Sequence, residues 1–308
     1  MAWFAYYIIV LPFSWLPLPV LYLFTDIFYL LLISIVPYRK KVIQGNLRRS
    51  FPEKSAKEIK KIQRKFYRHF TDILAEGVKN LTISERSLKI RLNIENPEIM
   101  DDLYANNKSV LLVSGHYNNW EWFISAQSLL IPHRAFGIGM PMTSKFWDKK
   151  VNARRQRYCM NVVHAKNYKE ALKKAEDDTN AVLVLSDQSQ GDSKKSYWMN
   201  FLNQETAVLF GTEIMAHELE YSVVYFATRK VRQGHYSMEL TLITDNPSTC
   251  KWGEITEAHV NLLEREIHQA PENWLWSHKR WKREVPTDLK LLKQQQREKF
   301  NAKYFTKS

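Results

Sequence analysis

Between Met1 and Tyr38 the chain carries a single charged side chain, Asp26. A stretch so poor in charge is not an ordinary solvated terminus, and it limits the architecture before anything else is considered. Its longest uninterrupted part, VLYLFTDIFYLLLISIV at residues 20–36, is 17 residues long. As a helix it would reach roughly 25 Å, marginal for crossing the hydrocarbon layer. Pro12, Pro17 and Pro19 separate it from an earlier apolar segment at residues 3–11. The pattern predicts an apolar N-terminal membrane-anchoring helix or helical hairpin over residues 1–38, either kinked through the bilayer or dipping into one leaflet. Met-Ala-Trp-Phe has neither the basic start nor the cleavage site of a secretory signal, so no cleaved leader is expected.

Arg39, Lys40 and Lys41 follow at once. Lys and Arg exceed Glu by ten over residues 38–70, and basic residues exceed acidic ones by seven over residues 277–308. The net charge of +13 thus sits in two blocks outside a mildly acidic body. Such blocks attract phosphate, whether on nucleic acid, on anionic lipid or on a phosphorylated or acidic carrier. The first block abuts the apolar segment, and no zinc-finger spacing or RNA-recognition signature occurs. Anionic membrane lipid is therefore the expected partner and nucleic acid is not. The positive-inside rule puts the body on the cytoplasmic side. Residues 53–80 read as an amphipathic helix with Ile59, Ile62, Phe66, Phe70, Ile73 and Leu74 on one stripe. Its opposite face is lysine and arginine, facing either anionic lipid or solvent.

The central region alternates. Short apolar runs at 109–114, 135–138, 181–185 and 222–228 read as strands, and 236–243 alternates like a half-exposed edge strand. Helical spacing occupies 119–130, 144–158, 168–177, 206–220 and 254–269. This predicts an α/β fold with a mostly parallel central sheet flanked by helices. The expected organisation is an anchor at 1–38 and one domain at 39–308. That domain comprises a basic helical region (39–80), an α/β core (81–285) and a basic tail (286–308) that is either helical or frayed. The two cysteines, Cys159 and Cys250, exclude a disulfide framework or a four-cysteine zinc site.

In open α/β sheets reactive groups collect at the carboxyl ends of strands. Two ends are loaded here. After the 109–114 strand comes Gly115-His116-Tyr117-Asn118-Asn119-Trp120-Glu121. His116 would lie in the turn, Asn118 or Asn119 would cap the next helix, and Glu121 in its first turn would point back to the imidazole. A histidine oriented by a carboxylate is a general base. The second end is Ser186-Asp187-Gln188-Ser189, read as turn formers or as support and substrate contacts. Between them lies Arg154-Arg155-Gln156-Arg157. Helical geometry places Arg154 and Arg157 on one face for a phosphate clamp, with Arg155 dispensable; a solvated face is the alternative. No G-x-S-x-G elbow, phosphate-binding glycine loop or zincin spacing is present, so a base that activates a substrate hydroxyl fits better than a protein nucleophile.

The stretch 115–121 resembles the H-x4-[DE] signature of the glycerolipid acyltransferase superfamily, and most closely the bacterial lipid A biosynthesis acyltransferases. Asn46-Leu47-x-x-Ser50-Phe51-Pro52, Asp187-Gln188 and Pro271-Glu272-x-x-Leu275-Trp276-x-His278-x-Arg280-x-Lys282 belong to the same resemblance. It implies an inner-membrane O-acyltransferase facing the cytoplasm. A fatty acyl chain would move from a thioester, on acyl carrier protein or CoA, to a hydroxyl of a lipid A precursor or related phosphorylated glycolipid, with no cofactor beyond the thioester. His116 would be the base and Glu121 its orienter, with Asn119, Arg154, Arg157, Asp187 and Gln188 binding substrate. The residues 201–207, Phe-Leu-Asn-Gln-Glu-Thr-Ala, depart from the family's small-residue-rich stretch, which leaves lysophospholipid or aminolipid acceptors open; the alternative of another class is a non-catalytic anionic-membrane-binding protein on the same fold.

Overall fold

The structure, a computed structural model, describes residues 2–35 and 38–305. Among the described residues nine strands form two sheets. Seven of them build the central sheet in the order β1-β9-β8-β2-β5-β3-β4: β1 Leu92–Ile94, β2 Val110–Ser114, β3 Arg134–Gly139, β4 Asn161–His164, β5 Asn180–Leu185, β8 Ser222–Arg232 and β9 His235–Thr244. Every neighbouring pair is parallel except the β8–β9 hairpin. The α/β fold with a mostly parallel sheet is thus as the alternation predicts. A small antiparallel pair, β6 Tyr197–Phe201 and β7 Gln204–Val208, stands apart.

All five residues of β2 are buried because its alternate side chains enter two separate cores. Leu111 and Val113 meet the helices Lys40–Ser50, Ala56–Lys79 and Glu254–Gln269 through Ile43, Leu47, Phe66 and Leu263. Val110 and Leu112 meet the helices Leu18–Ser34 and Trp120–Leu130 through Leu21, Trp122 and Phe123. The basic helix Ala56–Lys79 begins at a capping box in which Ser55 and Glu58 satisfy each other's backbone N–H. Ile59, Ile62 and Phe66 of its predicted stripe are buried, whereas Leu74 is exposed.

Several elements differ from the sequence reading. The helix expected over 206–220 begins only at Gly211, because Thr206–Val208 pair with β6. Leu202 and Asn203 both take positive φ, the conformation a two-residue hairpin turn requires. Strand β9 is not an edge; three-residue β1 covers it. The tail forms a helix, Leu289–Tyr304, pinned by buried Phe300 against His217 and Phe210.

At the N-terminus, the turns Ala2–Phe4, Ala5–Val10 and Leu11–Trp15 follow one another, the middle one wound as π-helix. Extended backbone at Leu16 and Pro17 breaks them from Leu18–Ser34. Leu18, Leu21, Tyr22 and Leu32 are buried, and the helix lies along Ala56–Lys79. Among the described residues no helix is long and apolar enough to cross a membrane.

Candidate active site

Strands β2 and β5 are parallel neighbours in register from Val110 opposite Ala181 to Ser114 opposite Leu185. Their carboxyl ends therefore release Gly115-His116 and Ser186-Asp187 side by side. Nδ1 of His116 lies 2.6 Å from Oδ1 of Asp187. Oδ2 of the same carboxylate accepts the indole N–H of Trp274 at 2.8 Å. The Asp187 side chain is 3% exposed and that of His116 18%, so the carboxylate is closed in and the ring is partly open to solvent. Burial pushes the Asp187 pKa up. The charge of His116 and the hydrogen bonds from His116 and Trp274 outweigh it and bring it down to about 2. An ionised Asp187 can only accept, which fixes a proton on Nδ1 of His116. Nε2 then holds a lone pair, and the amide nitrogen of Gln188 lies 3.2 Å from it.

The backbone explains the fit. A Cβ at Gly115 would sit 2.7 Å from Leu263 Cδ2 and 3.1 Å from Asp187 Cγ. Close approach, rather than a special turn angle, is what excludes a side chain there. Asn118 takes φ of +50°, a region asparagine tolerates. Its backbone N–H donates to Asn273 O at 3.0 Å, and Tyr117 bridges to Trp274. The hydroxyl of Tyr117 donates to Glu266 O and Ala270 O. The loop is thus clamped to the segment that supplies Trp274.

Glu121 lies elsewhere than the sequence reading put it. Its carboxylate is held by the guanidinium groups of Arg154 and Arg155. The partner on His116 Nδ1 is Asp187. The reason is helical geometry: Glu121 sits in the first turn of Trp120–Leu130 and faces the Lys145–Arg155 helix, whereas β5 delivers Asp187 directly alongside the loop. Burial pushes the Glu121 pKa up, but Arg154, Arg155 and, less strongly, His116 draw it down to about 2. Trp120 meets the His116 ring edge-on, with centroids 4.9 Å apart.

The arginine expectation is also corrected. Arg154 and Arg155 share Glu121, while Arg157 is turned away and donates to Leu81 O at 3.1 Å. The two guanidinium groups diverge to different partners, Arg154 to Glu121 and to Gly77 O and Arg157 to Leu81 O. Asn119 is buried and faces the interior. Its side-chain oxygen caps the helix by accepting Trp122 N–H at 3.0 Å, and its amide donates to buried Glu76, so both side-chain polar atoms are engaged in the interior.

Four separated sequence pieces converge here. Asn46 donates to Trp276 O and His278 O, both at 3.0 Å. Burial draws the His278 pKa down to about 4, leaving a neutral ring whose Nε2 accepts Ser189 N–H at 3.1 Å. Buried Arg280 donates to Ala207 O at 2.7 Å. Trp274 is the one member of the site that the sequence reading passed over. Its position inside the Pro271–Lys282 string, with an indole N–H that must find an acceptor once buried, was the available signal.

Similarity over nearly its whole length places the chain in a defined class. It belongs to the bacterial lipid A biosynthesis acyltransferases, whose pattern it matches over residues 1–283. It is 25% identical over 271 residues to the lipid A biosynthesis lauroyltransferase of Escherichia coli (strain K12), a match covering 87% of each chain. It is 24% identical over 256 residues, 79% of each chain, to the lipid A biosynthesis palmitoleoyltransferase of the same organism. The lipid A biosynthesis acyltransferase of Shigella flexneri matches to the same extent. Family membership supports an enzyme that transfers acyl groups to lipid A.

Proposed function

We propose that the chain is a membrane-associated O-acyltransferase in which His116, oriented by Asp187, is the general base. The observation that carries this is the Asp187–His116 pair at 2.6 Å, with Nε2 left as the basic nitrogen. An acceptor hydroxyl takes the place of the Gln188 amide at Nε2 and gives up its proton there. The hydroxyl oxygen then attacks the carbonyl carbon of an acyl thioester. The tetrahedral adduct collapses, the C–S bond breaks, and the thiolate leaves with the proton from the imidazolium. Ionised Asp187 stabilises that imidazolium in a site where charge is poorly screened.

The donor in this reading is an acyl thioester on acyl carrier protein, whose acidic surface suits a basic enzyme. The acceptor is a phosphorylated lipid A precursor. Glu121 holds Arg154 and Arg155 together, and the trio presents one net positive charge to an acceptor phosphate. Membrane association rests on the uncovered side of the N-terminal helices. Trp3, Trp15, Leu23 and Ile35 are 61%, 72%, 63% and 69% exposed, and Phe4, Ile8, Ile9, Phe24, Ile27 and Leu30 join them. So many exposed apolar side chains suit helices lying in the headgroup–acyl boundary. The basic residues behind it favour the cytoplasmic leaflet of the inner membrane.

The test is acyl transfer by purified protein, with acyl carrier protein thioester and lipid A precursor, read by mass spectrometry. The expected product is the acceptor plus one acyl chain, lost in His116→Ala with the fold intact. Undiminished transfer by His116→Ala would refute the base.

A further inference from the structure

Where the Leu18–Ser34 helix ends, it forms a cavity of about 360 Å³ together with the helices Lys40–Ser50 and Ala56–Lys79. Its wall on one side is apolar, with Leu32 and Ile33. Its floor is amide: Gln44 donates to buried Gln63 at 2.9 Å. Its rim is cationic, with Lys40, Lys60 and Arg64, and no Asp or Glu lines it. Lys60 and Arg64 are four residues apart on one helix and so project from the same face.

The cations of the basic helix divide into two groups. Lys65 pairs with Glu272, Arg68 pairs with Asp26, and Lys79 donates to Ser14 O and Leu16 O. Lys60, Arg64 and neighbouring Lys40 have no ion pair or hydrogen bond among the described residues. Lys57 and Lys61 of the same helix likewise have no ion pair or hydrogen bond among the described residues but do not line the opening; Lys40, Lys60 and Arg64 converge on it without a counter-charge. Its lining residues Leu32, Ile33 and Ser34 are flanked in sequence by exposed Leu30, Leu31 and Ile35 at the end of the apolar helix. A ligand that fills both parts must carry an anion at one end and hydrocarbon at the other.

We propose that this cavity binds the phosphate of an anionic glycerophospholipid, with the acyl chains running along the exposed side of Leu18–Ser34. Lys40, Lys60 and Arg64 grip the phosphodiester, Gln44 and Gln63 bond the headgroup hydroxyls, and Ile33 meets the first methylenes. The site lies at the boundary between the apolar helix and the basic helix, where a bilayer would present its headgroups. It seats the N-terminal helices in the plane of one leaflet. The inference rests on the membrane association proposed above and adds a specific headgroup site to it.

The experiment is flotation of the full-length chain with phosphatidylcholine vesicles, with and without phosphatidylglycerol. The variants are Lys40→Ala/Lys60→Ala/Arg64→Ala and a control of equal charge change on the tail helix, Lys290→Ala/Lys293→Ala/Lys299→Ala. Inorganic phosphate and glycerol 3-phosphate serve as competitors. The cavity variant should lose roughly 100-fold in affinity for the anionic vesicles, the sum of three surface charges. It should keep wild-type binding to phosphatidylcholine alone, and the control should lose far less. Equal losses in the two triple variants would reduce the site to general charge attraction and overturn the proposal. Competition by either soluble phosphate at concentrations that leave the control contact intact would mean a phosphate site without lipid, which also overturns it. If the wild type floats equally well with both vesicle types, the headgroup site fails while membrane association stands. If it floats with neither, both fail together.

Discussion

Asp187→Asn separates the two carboxylates that compete for the role of orienting His116. Asparagine keeps the shape, and its amide oxygen can accept from only one of the two donors that Asp187 now serves. Trp274 Nε1–H and His116 Nδ1–H lie 2.8 and 2.6 Å from opposite oxygens of the carboxylate. If the new oxygen faces Trp274, the NH2 group faces Nδ1 and forces the proton to Nε2, where the base is needed. If it faces His116, the indole loses its acceptor and the imidazolium still loses its counter-charge. Either way turnover should fall by ~10²–10⁴-fold, equivalent to roughly 3–5 kcal/mol of transition-state stabilisation. The Michaelis constants should change little, because the loss concerns the proton transfer. The assay is initial-rate acyl transfer from an acyl thioester, with thermal unfolding as the check on folding. Glu121→Gln should behave differently. It leaves Arg154 and Arg155 without their counter-charge, so its main effect should be on acceptor KM. A Glu121→Gln enzyme with a collapsed kcat and normal KM, beside near-normal Asp187→Asn, would refute the assignment and return the orienting role to Glu121.

Three other outcomes follow from the same geometry. Arg155→Ala should damage acceptor binding about as much as Arg154→Ala, since both grip Glu121, while Arg157→Ala should remain near wild type in the same KM measurement. Gly115→Ala should cost about 1–3 kcal/mol in a urea unfolding series, because the new methyl group must push Leu263 or Asp187 aside. Stability should peak near about pH 4.5 and fall on both sides, as the urea midpoint at several pH values would show. On the acid side Asp187 and Glu121, with folded pKa values of about 2, contribute stability above their ordinary range and lose it as the pH falls through about 2. On the alkaline side burial lifts Glu76, Glu213 and Glu266 to about 7, partly offset by the hydrogen bonds each accepts. The stability tied to their protonation is present below about 4.5 and is lost as the pH rises through about 7. Each group carries about 2–3 kcal/mol over its window.

The parts of the fold that were legible in the sequence are those whose signal is local. Strands β2 and β5 announce themselves as runs of four and five apolar residues, and the helix Glu254–Gln269 has both spacing and length. Strands β1 and β4, of three and four residues, fall below any periodic signal and exist because longer neighbours offer an edge. The β6–β7 hairpin was hidden by its turn, since Leu202 gives no hint of positive φ. At the site, His116 and the Asp187-Gln188 strand end were readable as separate loaded ends. Their pairing was not, because it depends on β2 lying beside β5 in one register, a relation between residues 71 positions apart. Proximity in sequence favoured Glu121, five residues on, and the sheet delivered Asp187 instead. The same long-range dependence concealed the sharing of Glu121 by Arg154 and Arg155.

Acylation of a lipid A-type acceptor through His116 should be visible in the lipids of the cell. Mass spectrometry of lipid A and total lipids from a strain lacking the chain, complemented with wild type or with His116→Ala, tests it most directly. The account predicts a lipid A species short of one acyl chain in the deletion strain, restored by wild type and not by His116→Ala at equal expression. Unchanged lipid A, with the missing acyl chain found instead on a phospholipid or aminolipid, or full restoration by His116→Ala, would contradict it.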